Sequence, residues 1–379
     1  MDGAREATSE RATPEQEAET AAEFHALHEI VRAAAAKLDP KIYGYLIGGT
    51  ETETSVRRNR QALDSVALRP RVLRDVRLVD PSTRLFGREF LLPVILAPVG
   101  SLESFHPEGA AAAYRGATAG GCGIMVSSVT RPGLEETAQA ANGPRIFQLY
   151  VRGGDDFIDD YVRRAAEAGY DAFAITVDSA VYSRRERDIT QRFIKYWRAQ
   201  AEGMAYQAAF SWDGVKRFKD THTMPLILKG IGTAEDAALA CEYGVDVVHV
   251  SNHGGRQLDH GLGSFAVLPE IVREVRGRAT IIVDGGFCRG TDIVKAIAAG
   301  ADAVAIGRLY CYGLAAAGAA GVARTLALLA EEVRETLALL GITRLSDLGP
   351  SCLAPAHPVG ASHIQSAFPL LQTPWDGVY

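Results

Sequence analysis

The sequence predicts an α/β fold, a (β/α)8 TIM barrel with an N-terminal helical segment. Eight short apolar runs, each followed by a helical stretch, begin at residue 93. A Gly-x-Asp junction recurs where a helix stops and a strand starts, at residues 169–171, 244–246 and 300–302. Glycine is the usual left-handed cap at such helix ends, and the recurrence indicates a repeated βα unit. The runs lack strict alternation, which is typical of parallel strands covered by helices.

The elements before the barrel are less regular. Residues 1–23 are acidic and rich in alanine, lack the layout of a signal peptide, and are predicted to form a disordered tail. Residues 24–37 predict an amphipathic helix that ends before Asp39-Pro40. An aromatic, glycine-rich stretch at 43–49 and a charged helix through Asn59-Arg60 follow. A connecting region then extends to Leu92.

Eight predicted strands make up the barrel, at residues 94–97, 123–126, 146–150, 172–177, 226–229, 247–250, 280–283 and 303–306. Helical stretches follow them, for example at 156–168, 234–243 and 291–299. Eight units favour a closed barrel. The alternative is a doubly wound open sheet, which is less well supported because no G-x-G-x-x-G follows the first strand.

The barrel domain is predicted to span residues 24–349, closed by a long helix at 321–340. Residues 303–323 are apolar enough to imitate a membrane span, but Arg308 interrupts them, so a buried strand and helix is preferred. Residues 350–379 form a proline-rich C-terminal extension with several large apolar side chains. We expect this extension to wrap the surface or a neighbouring subunit, or else to be disordered.

Composition excludes several functional classes. The chain has 379 residues and a formal net charge of −6, so it lacks the basic surface of a nucleic-acid-binding protein. Its five cysteines are scattered without a C-x-x-C pair, which predicts a reducing, cytoplasmic location and neither a disulfide framework nor a metal site. We therefore expect a soluble protein that acts on a small molecule.

The predicted strand ends carry glycine or polar residues, and a barrel brings all of them to one rim, where active sites lie. The most informative stretch is 250–257, in which two glycines separate His253 from Arg256. In strand order the ends are Ala97-Pro98-Val99-Gly100, Ser127-Ser128, Gln148-Leu149-Tyr150, Thr176-Val177-Asp178, Lys229, Ser251-Asn252-His253, Asp284-Gly285-Gly286 and Gly307-Arg308.

The last two strand ends predict a phosphate site. Glycines at 285, 286 and 290 allow backbone N–H groups to approach an anion, and the helix from Thr291 directs its positive end there. Arg289 and Arg308 add positive charge. Because such barrels often bind phosphate after strands seven and eight, the ring of a phosphorylated cofactor would lie over the barrel mouth.

Lys229, at the end of a buried strand, requires an anionic partner. It suits either a Schiff base or contact with an electron-rich ring. Arg256 and Tyr45 are candidates for holding a substrate carboxylate.

Asp178 and His253 both follow barrel strands and are candidates for a hydrogen-bonded pair. A carboxylate beside imidazole raises its basicity and fixes its tautomer. Pairing of Asp178 with Arg184 or Arg185 is the alternative.

These stretches together resemble the FMN-dependent α-hydroxy acid oxidases and dehydrogenases, which include glycolate oxidase, lactate oxidase and mandelate dehydrogenase. The resemblance covers residues 38–340. It rests on Tyr43-Gly44-Tyr45, Ala97-Pro98-Val99-Gly100, His106-Pro107-Glu108-Gly109, Gln148-Leu149-Tyr150, Thr176-Val177-Asp178, the stretch 184–188, Leu228-Lys229-Gly230, the stretch 251–257, Asp284-Gly285-Gly286 and Gly307-Arg308.

The resemblance implies bound FMN and a role for each site residue. The implied catalytic and substrate-binding residues are His253 as base with Asp178 supporting it, Tyr150 on the substrate oxygen, Arg256, Tyr45 and Arg185 on the carboxylate, and Lys229 beside the reduced flavin. The implied cofactor-binding residues are Ala97, Pro98, Val99, Gly100, Ser127, Gln148, Thr176, Lys229 and Ser251 along the ring, with Asp284, Gly285, Gly286, Arg289, Gly307 and Arg308 around the ribityl phosphate.

Four departures from the family pattern bear on function. Cys288 stands where the family has a phosphate-contacting arginine, which predicts weaker FMN binding. The segment between Arg185 and Lys229 looks shorter than in glycolate oxidase, which predicts a more open pocket. Gly100 replaces a common alanine, which favours larger substrates and poor use of oxygen. Leu46 and Val129 replace aromatics of glycolate oxidase, which argues against glycolate as substrate.

The resemblance thus implies oxidation of an L-2-hydroxy acid, bulky or aromatic rather than methyl-sized, to the 2-oxo acid. It also implies a homotetramer, with an electron acceptor other than oxygen favoured by Gly100. One alternative is flavin-dependent oxidation of an unusual natural-product or peptide-derived intermediate. Others are a Schiff-base lyase or isomerase that uses Lys229, and a binding module that has lost catalysis.

Overall fold

The structure is a computed structural model, and it describes residues 12–193 and 203–371. Eight strands form a closed barrel in which every neighbouring pair is parallel, and the last strand pairs with the first to complete it. The strands are β4 Val94–Leu96, β5 Gly123–Ser127, β6 Arg145–Leu149, β7 Ala172–Thr176, β8 Leu226–Ile231, β9 Val247–Val250, β10 Thr280–Asp284 and β11 Ala303–Ile306. The prediction of a (β/α)8 barrel is confirmed, and a doubly wound open sheet is excluded.

The inside of the barrel is packed with side chains, because alternate residues of each strand point inward. Ile227, Val247 and Ile282 belong to this inner cluster. A hairpin of β2 (Thr83–Leu85) and β3 (Arg88–Phe90) adds Leu85 and Phe90 to the same cluster. The connecting region of the sequence prediction therefore contains a small sheet that packs against the inner side chains of the barrel.

Helices surround the barrel and precede it in the chain. They are α1 Pro14–Ala22, α2 Leu27–Lys37, α3 Pro40–Ile47, α4 Thr54–Asp64, α5 Gly109–Ala119, α6 Leu134–Gln139, α7 Asp155–Glu167, α8 Glu186–Thr190, α9 Met204–Ala209, α10 Trp212–Thr221, α11 Ala234–Glu242, α12 Ser264–Val275, α13 Gly290–Ala298 and α14 Arg308–Leu340. Helices α2, α4, α7, α11 and α13 match the predicted segments closely.

The prediction that residues 1–23 form a disordered tail is wrong for residues 14–22, which form α1. Thr13 and Gln16 make a reciprocal capping box, and Pro14 occupies the first helical turn. Ala21 is buried in the main hydrophobic core, and the Glu17 carboxylate lies 2.8 Å from Nε2 of His106. Composition alone missed these local signals. Residues 1–11 lie outside the described part of the chain.

Helix α14 is longer than predicted and is interrupted by non-helical backbone at Ala317 and Gly318. Among the described residues, this helix is the one that has the length and apolar character to cross a membrane, but 67% of its most apolar window is buried. It contacts α1, α2, α5 and α13. Its burial supports the interpretation as a core helix.

The C-terminal extension lies against the protein surface as far as residue 371. Its strand β12 (Leu353–Pro355) pairs antiparallel with β1 (Val66–Leu68). Further along, Phe368 is buried with its ring edge against His28, at 5.7 Å between ring centroids. The last eight positions, 372–379, lie outside the described residues.

Candidate active site

A single cavity opens at the carboxyl ends of the barrel strands, as the fold predicts. Its floor carries Ala97, Lys229 and Gly307, and its wall on the β9 side carries His253 and Arg256. Helix α3 contributes Tyr45, so the segment before the barrel also reaches the site. The predicted strand ends, which are distant in sequence, are therefore brought together in one place.

His253 lies between an acid and a phenol. Its Nδ1 is 2.9 Å from Oδ1 of Asp178, and its Nε2 is 3.2 Å from the hydroxyl of Tyr150. Asp178 accepts a hydrogen bond from the protonated Nδ1 and thereby leaves Nε2 as the basic nitrogen on the cavity side. Arg184, the alternative partner considered for Asp178, lies beside Glu186 instead, at 3.3 Å.

The backbone at His253 is in the left-handed region, with φ of 57°. Gly254 and Gly255 continue this conformation at 62° and 75°. A Cβ on Gly255 would lie 2.6 Å from the backbone nitrogen of Val56, so only glycine fits there. The two glycines that the sequence places after His253 therefore turn the chain sharply and let α4 pack against the turn. Strain of this kind at a non-glycine residue is common in functional sites.

Burial lowers the pKa of His253 below its ordinary value, although the charge of Asp178 acts in the opposite direction. Burial alone would raise the pKa of Asp178, but the charges of His253 and Lys229 outweigh it and the pKa is lowered. At neutral pH the pair is thus a neutral imidazole and a carboxylate, the state that a general base requires.

Arg185 and Arg256 line the same cavity close to Tyr45. Nη2 of Arg256 donates to the carbonyl of Tyr45 at 2.8 Å, and its guanidinium stacks over the Tyr45 ring at 4.6 Å. Arg185 donates to the Arg256 carbonyl and to the Gln257 side chain, each at 3.3 Å. In the described part of the chain these donors thus meet neutral oxygens rather than carboxylates.

The position of Arg185 beside a second arginine has an electrostatic consequence. Burial, reinforced by the charge of Arg256, lowers the pKa of Arg185 to about 10. Two buried guanidinium groups that repel each other are stabilised by an anion between them. The carboxylate of a substrate would provide that anion.

Lys229 belongs to a buried polar cluster. Its Nζ is 3.0 Å from Oγ of Ser251 and 3.6 Å from Oδ2 of Asp284. Ser251 donates to the other Asp284 oxygen at 2.7 Å, and Nε2 of His249 is 3.1 Å from Oδ2. Lys229, on β8, therefore has the anionic partner that its burial requires. That partner is Asp284, at the end of β10.

The predicted phosphate cradle is formed by Gly285, Gly286, Gly307 and Arg308 at one end of the cavity. Gly285 and Gly286 have φ of 103° and 88°, which side chains rarely adopt, and a Cβ on Gly286 would lie 3.0 Å from the Asn59 carbonyl carbon. Arg308 donates to the carbonyls of Leu46 and Gly48. Burial lowers its pKa to about 10.

These residues fit FMN by independent observations. At the carboxyl ends of β6 and β7, Nε2 of Gln148 and Oγ1 of Thr176 are buried without a hydrogen-bond partner among the described residues. A flavin ring offers carbonyl and ring-nitrogen groups to such atoms. Lys229 and the inward-facing Ser127 and Ser251 lie on the same rim, while the glycine cradle and Arg308 suit a phosphate. The site therefore has polar groups for the ring and a separate cationic end for the phosphate.

Arg289 is a correction to the sequence prediction. Its side chain was expected in the phosphate cradle, but Nη2 lies 2.5 Å from the Glu332 carboxylate and Nη1 donates to the Ala367 carbonyl at 3.2 Å. As the residue that caps α13, it projects toward α14 and the C-terminal segment. Cys288, its neighbour, is the residue that lines the cavity.

Several residues of the site were missed from the sequence. Arg60 lines the cavity and forms a buried two-pronged pair with Asp292, with both distances 2.7 Å. His249 joins the Lys229 cluster, and its position as a polar residue inside an apolar strand was a usable signal. Tyr312 also lines the cavity and follows Arg308 by four positions, which places both on one helix face.

A parallel barrel with a basic histidine, a carboxylate site and a phosphate cradle at one rim defines a class, the flavin-dependent oxidoreductases of hydroxy acids. A family model described as FMN-dependent dehydrogenase matches residues 34–355. The chain belongs to this family, and it is an FMN-dependent enzyme that oxidises 2-hydroxy acids.

Known relatives agree with this assignment. Glycolate oxidase 5 of Oryza sativa subsp. japonica is 39% identical over 337 residues, covering 83% of this chain and 91% of that protein. The peroxisomal (S)-2-hydroxyacid oxidase GLO3 of Arabidopsis thaliana is 38% identical over 339 residues, covering 84% and 93%. A crystal structure of mandelate oxidase superposes with a TM-score of 0.83 at 38% identity, covering 89% of this chain and all of that one.

Proposed function

We propose that the protein oxidises an L-2-hydroxy acid with a bulky or aromatic side chain to the corresponding 2-oxo acid. The observation that carries the proposal is the placement of Nε2 of His253, which is backed by Asp178 and lies beside Tyr150 in a cavity that Arg185 and Arg256 also line. Similarity to mandelate oxidase and to an (S)-2-hydroxyacid oxidase supports both the substrate class and its handedness.

In this proposal each residue has a defined task. Arg185 and Arg256 bind the substrate carboxylate, and Tyr45 supports Arg256 by stacking beneath its guanidinium. Tyr150 keeps its proton because burial raises its pKa, so its hydroxyl can donate to the substrate oxygen. His253 takes a proton from the substrate at Nε2, and Asp178 stabilises the resulting imidazolium. Bound FMN supplies the two-electron acceptor for the oxidation.

The size of the substrate is proposed from the cavity wall. Val129, Val181 and Met204 line it, and Gly100 contributes no side chain. Phe105 adds an aromatic face and stacks on Tyr45 at 5.9 Å between centroids. An apolar wall with room beside Gly100 suits a phenyl group better than the hydrogen of glycolate. The middle of the segment predicted to be short, residues 194–202, lies outside the described residues.

A panel of 2-hydroxy acids tests the proposal directly. Glycolate, lactate, mandelate and phenyllactate would each be supplied with oxygen and, separately, with an artificial dye acceptor. We expect the highest kcat/KM with an aromatic acid of S configuration, and a faster reaction with dye than with oxygen. A preference for glycolate would overturn the proposed substrate class, and equal rates with both acceptors would overturn the proposed acceptor.

The Schiff-base alternative is disfavoured by the surroundings of Lys229. A Schiff-base lysine must present its amine to the substrate, whereas Nζ here is directed to Ser251 and to the Asp284 carboxylate. Loss of catalysis is likewise disfavoured because His253, Asp178 and Tyr150 are present and in contact. The oxidation of an unusual natural-product intermediate is kept as a second possibility, and a substrate panel without turnover would favour it.

We also propose a cytoplasmic homotetramer. Free cysteines in the described structure and the family resemblance support these two points. Light scattering of the purified protein and fractionation of the source cells test them separately.

A further inference from the structure

Tyr312 lies on the first turns of α14, in the wall of the cavity at its phosphate end. The residue is 1% exposed, and its hydroxyl has no hydrogen-bond partner among the described residues. An unpaired buried hydroxyl costs about 1–3 kcal/mol, so folded proteins rarely keep one without a use. A hydroxyl of this kind in a cavity wall indicates a ligand that completes it.

The surroundings of Tyr312 identify the chemistry of that ligand. Arg308 precedes it by one helical turn, and Cys288 lines the same end of the cavity together with Gly286. Arg308 and Cys288 are both close enough to affect the ionisation of the phenol. Burial raises the pKa of Tyr312 well above its ordinary value, so the hydroxyl retains its proton and acts as a donor. A protonated donor beside an arginine suits an anionic oxygen.

Cys288 provides the second, independent observation. The resemblance places an arginine of the family at this position, and the structure confirms that Cys288 lines the cavity while Arg289 turns away to Glu332. Burial raises the pKa of the Cys288 thiol to about 12, so it contributes neither a positive charge nor a strong donor. The cradle therefore lacks one donor group that the family pattern has, whereas the hydroxyl of Tyr312 is a donor without a partner among the described residues.

We propose that Tyr312 is a cofactor-binding residue of this chain, whose hydroxyl donates a hydrogen bond to the phosphate of FMN and replaces the arginine lost at Cys288. The phosphate then receives one charged donor, from Arg308, and one neutral donor, from Tyr312. The two donors share a helix face, so a single rigid element positions both.

A comparison of FMN with riboflavin tests this role, because the two differ only in the phosphate. Flavin-free protein would be titrated with each compound, and the Kd read from quenching of flavin fluorescence. In Tyr312→Phe we expect FMN to bind about 10-fold to 100-fold more weakly, as for a hydrogen bond to a charged group, with riboflavin unchanged. Equal losses for both flavins, or no loss for FMN, would overturn the proposal.

Tyr43→Phe is the matched control. This tyrosine is near Tyr312, but its hydroxyl is already in contact with the side chain of Gln365. We expect the ratio of FMN to riboflavin affinity to stay the same in this variant. A change as large as that in Tyr312→Phe would overturn the specific role of the Tyr312 hydroxyl.

Thermal unfolding of the flavin-free protein separates binding from folding. If the Tyr312 hydroxyl is unsatisfied without FMN, its removal leaves the melting temperature unchanged or raises it. The stabilisation by added FMN should then decrease, while that by riboflavin does not. A lower melting temperature of the flavin-free variant would assign the hydroxyl to the protein structure instead.

Cys288→Arg gives a test that does not depend on the stability of the Tyr312 variant. We expect it to tighten FMN binding with little effect on riboflavin. In the double variant with Tyr312→Phe, the loss for FMN should be smaller than in the natural background, because the two groups serve the same phosphate. Strict additivity of the two changes would contradict a shared ligand.

Discussion

Nδ1 of His253 lies 2.9 Å from Oδ1 of Asp178, while Nε2 of the same ring points to Tyr150 on the cavity side. This relationship fixes the tautomer, because the nitrogen that faces the carboxylate carries the proton. The positive φ of His253 holds the ring in this position. The tautomer and the direction of the imidazole are thus set by one acid and one turn.

His253→Gln should abolish turnover while it preserves the folded, flavin-bound protein. The amide keeps the size of the ring but cannot accept the proton, and a positioned base contributes about 10²–10⁴-fold. The measurement is kcat with the best substrate of the panel, together with the visible absorbance of bound FMN. Turnover at the natural level would remove His253 from the mechanism.

The natural enzyme should lose activity on acidification only at a pH below the ordinary pKa of histidine, because the base must be neutral and burial lowers the pKa of His253. Asp178→Asn removes the charge that raises this pKa, so the acidic limb of kcat/KM should move to lower pH. The maximal rate should also fall, since the amide no longer fixes the tautomer. An acidic limb that moves to higher pH would contradict the assignment.

Gly100→Ala should shift specificity toward smaller acids. The added methyl group occupies space in the apolar wall, and a methylene-sized change is worth about 10–200-fold in discrimination. The quantity to measure is the ratio of kcat/KM for mandelate to that for lactate. Val181→Ala is a useful comparison. Val181 lines the cavity at its exposed mouth, so its truncation enlarges the cavity instead. A ratio that is the same in all three proteins would refute the pocket argument.

Phe368→Ala should lower the free energy of unfolding by about 3–5 kcal/mol, as is usual when a buried phenylalanine is replaced by alanine. Phe368 is 1% exposed and lies against His28. Val359→Ala, in the same extension but fully exposed, is the control and should leave stability unchanged. Chemical denaturation measures both. Equal stabilities of the two variants would show that the extension is not part of the folded unit.

The barrel was predictable because its signals are local and repeated. Apolar runs marked each strand to within a few residues, and Gly-x-Asp junctions marked the start of three of them. The residues at the rim could be predicted from the topology alone, because the carboxyl ends of all the barrel strands lie at the same rim. Asp178 and His253 could be proposed as a pair for this reason, although they follow β7 and β9 and lie 75 positions apart in the sequence.

Other features depend on contacts that the sequence does not display. Arg60 lies on a charged helix, and its partner Asp292 is 232 positions away, so nothing local marked it as buried. Arg289 sits beside the cradle glycines, yet the position of Glu332 on α14 determines where its side chain points. The helix at residues 14–22 was missed because acidic composition outweighed a capping box of only two side chains.

The extension at the C-terminus joins the end of the chain to its beginning. The Leu370 carbonyl accepts a hydrogen bond from Arg32, 338 positions earlier, and Phe368 covers His28. Helix α2 therefore cannot complete its contacts until the ribosome has released almost the whole polypeptide. During synthesis the part of α2 around His28 therefore stays uncovered until residues 368–370 have left the ribosome and can fold over it.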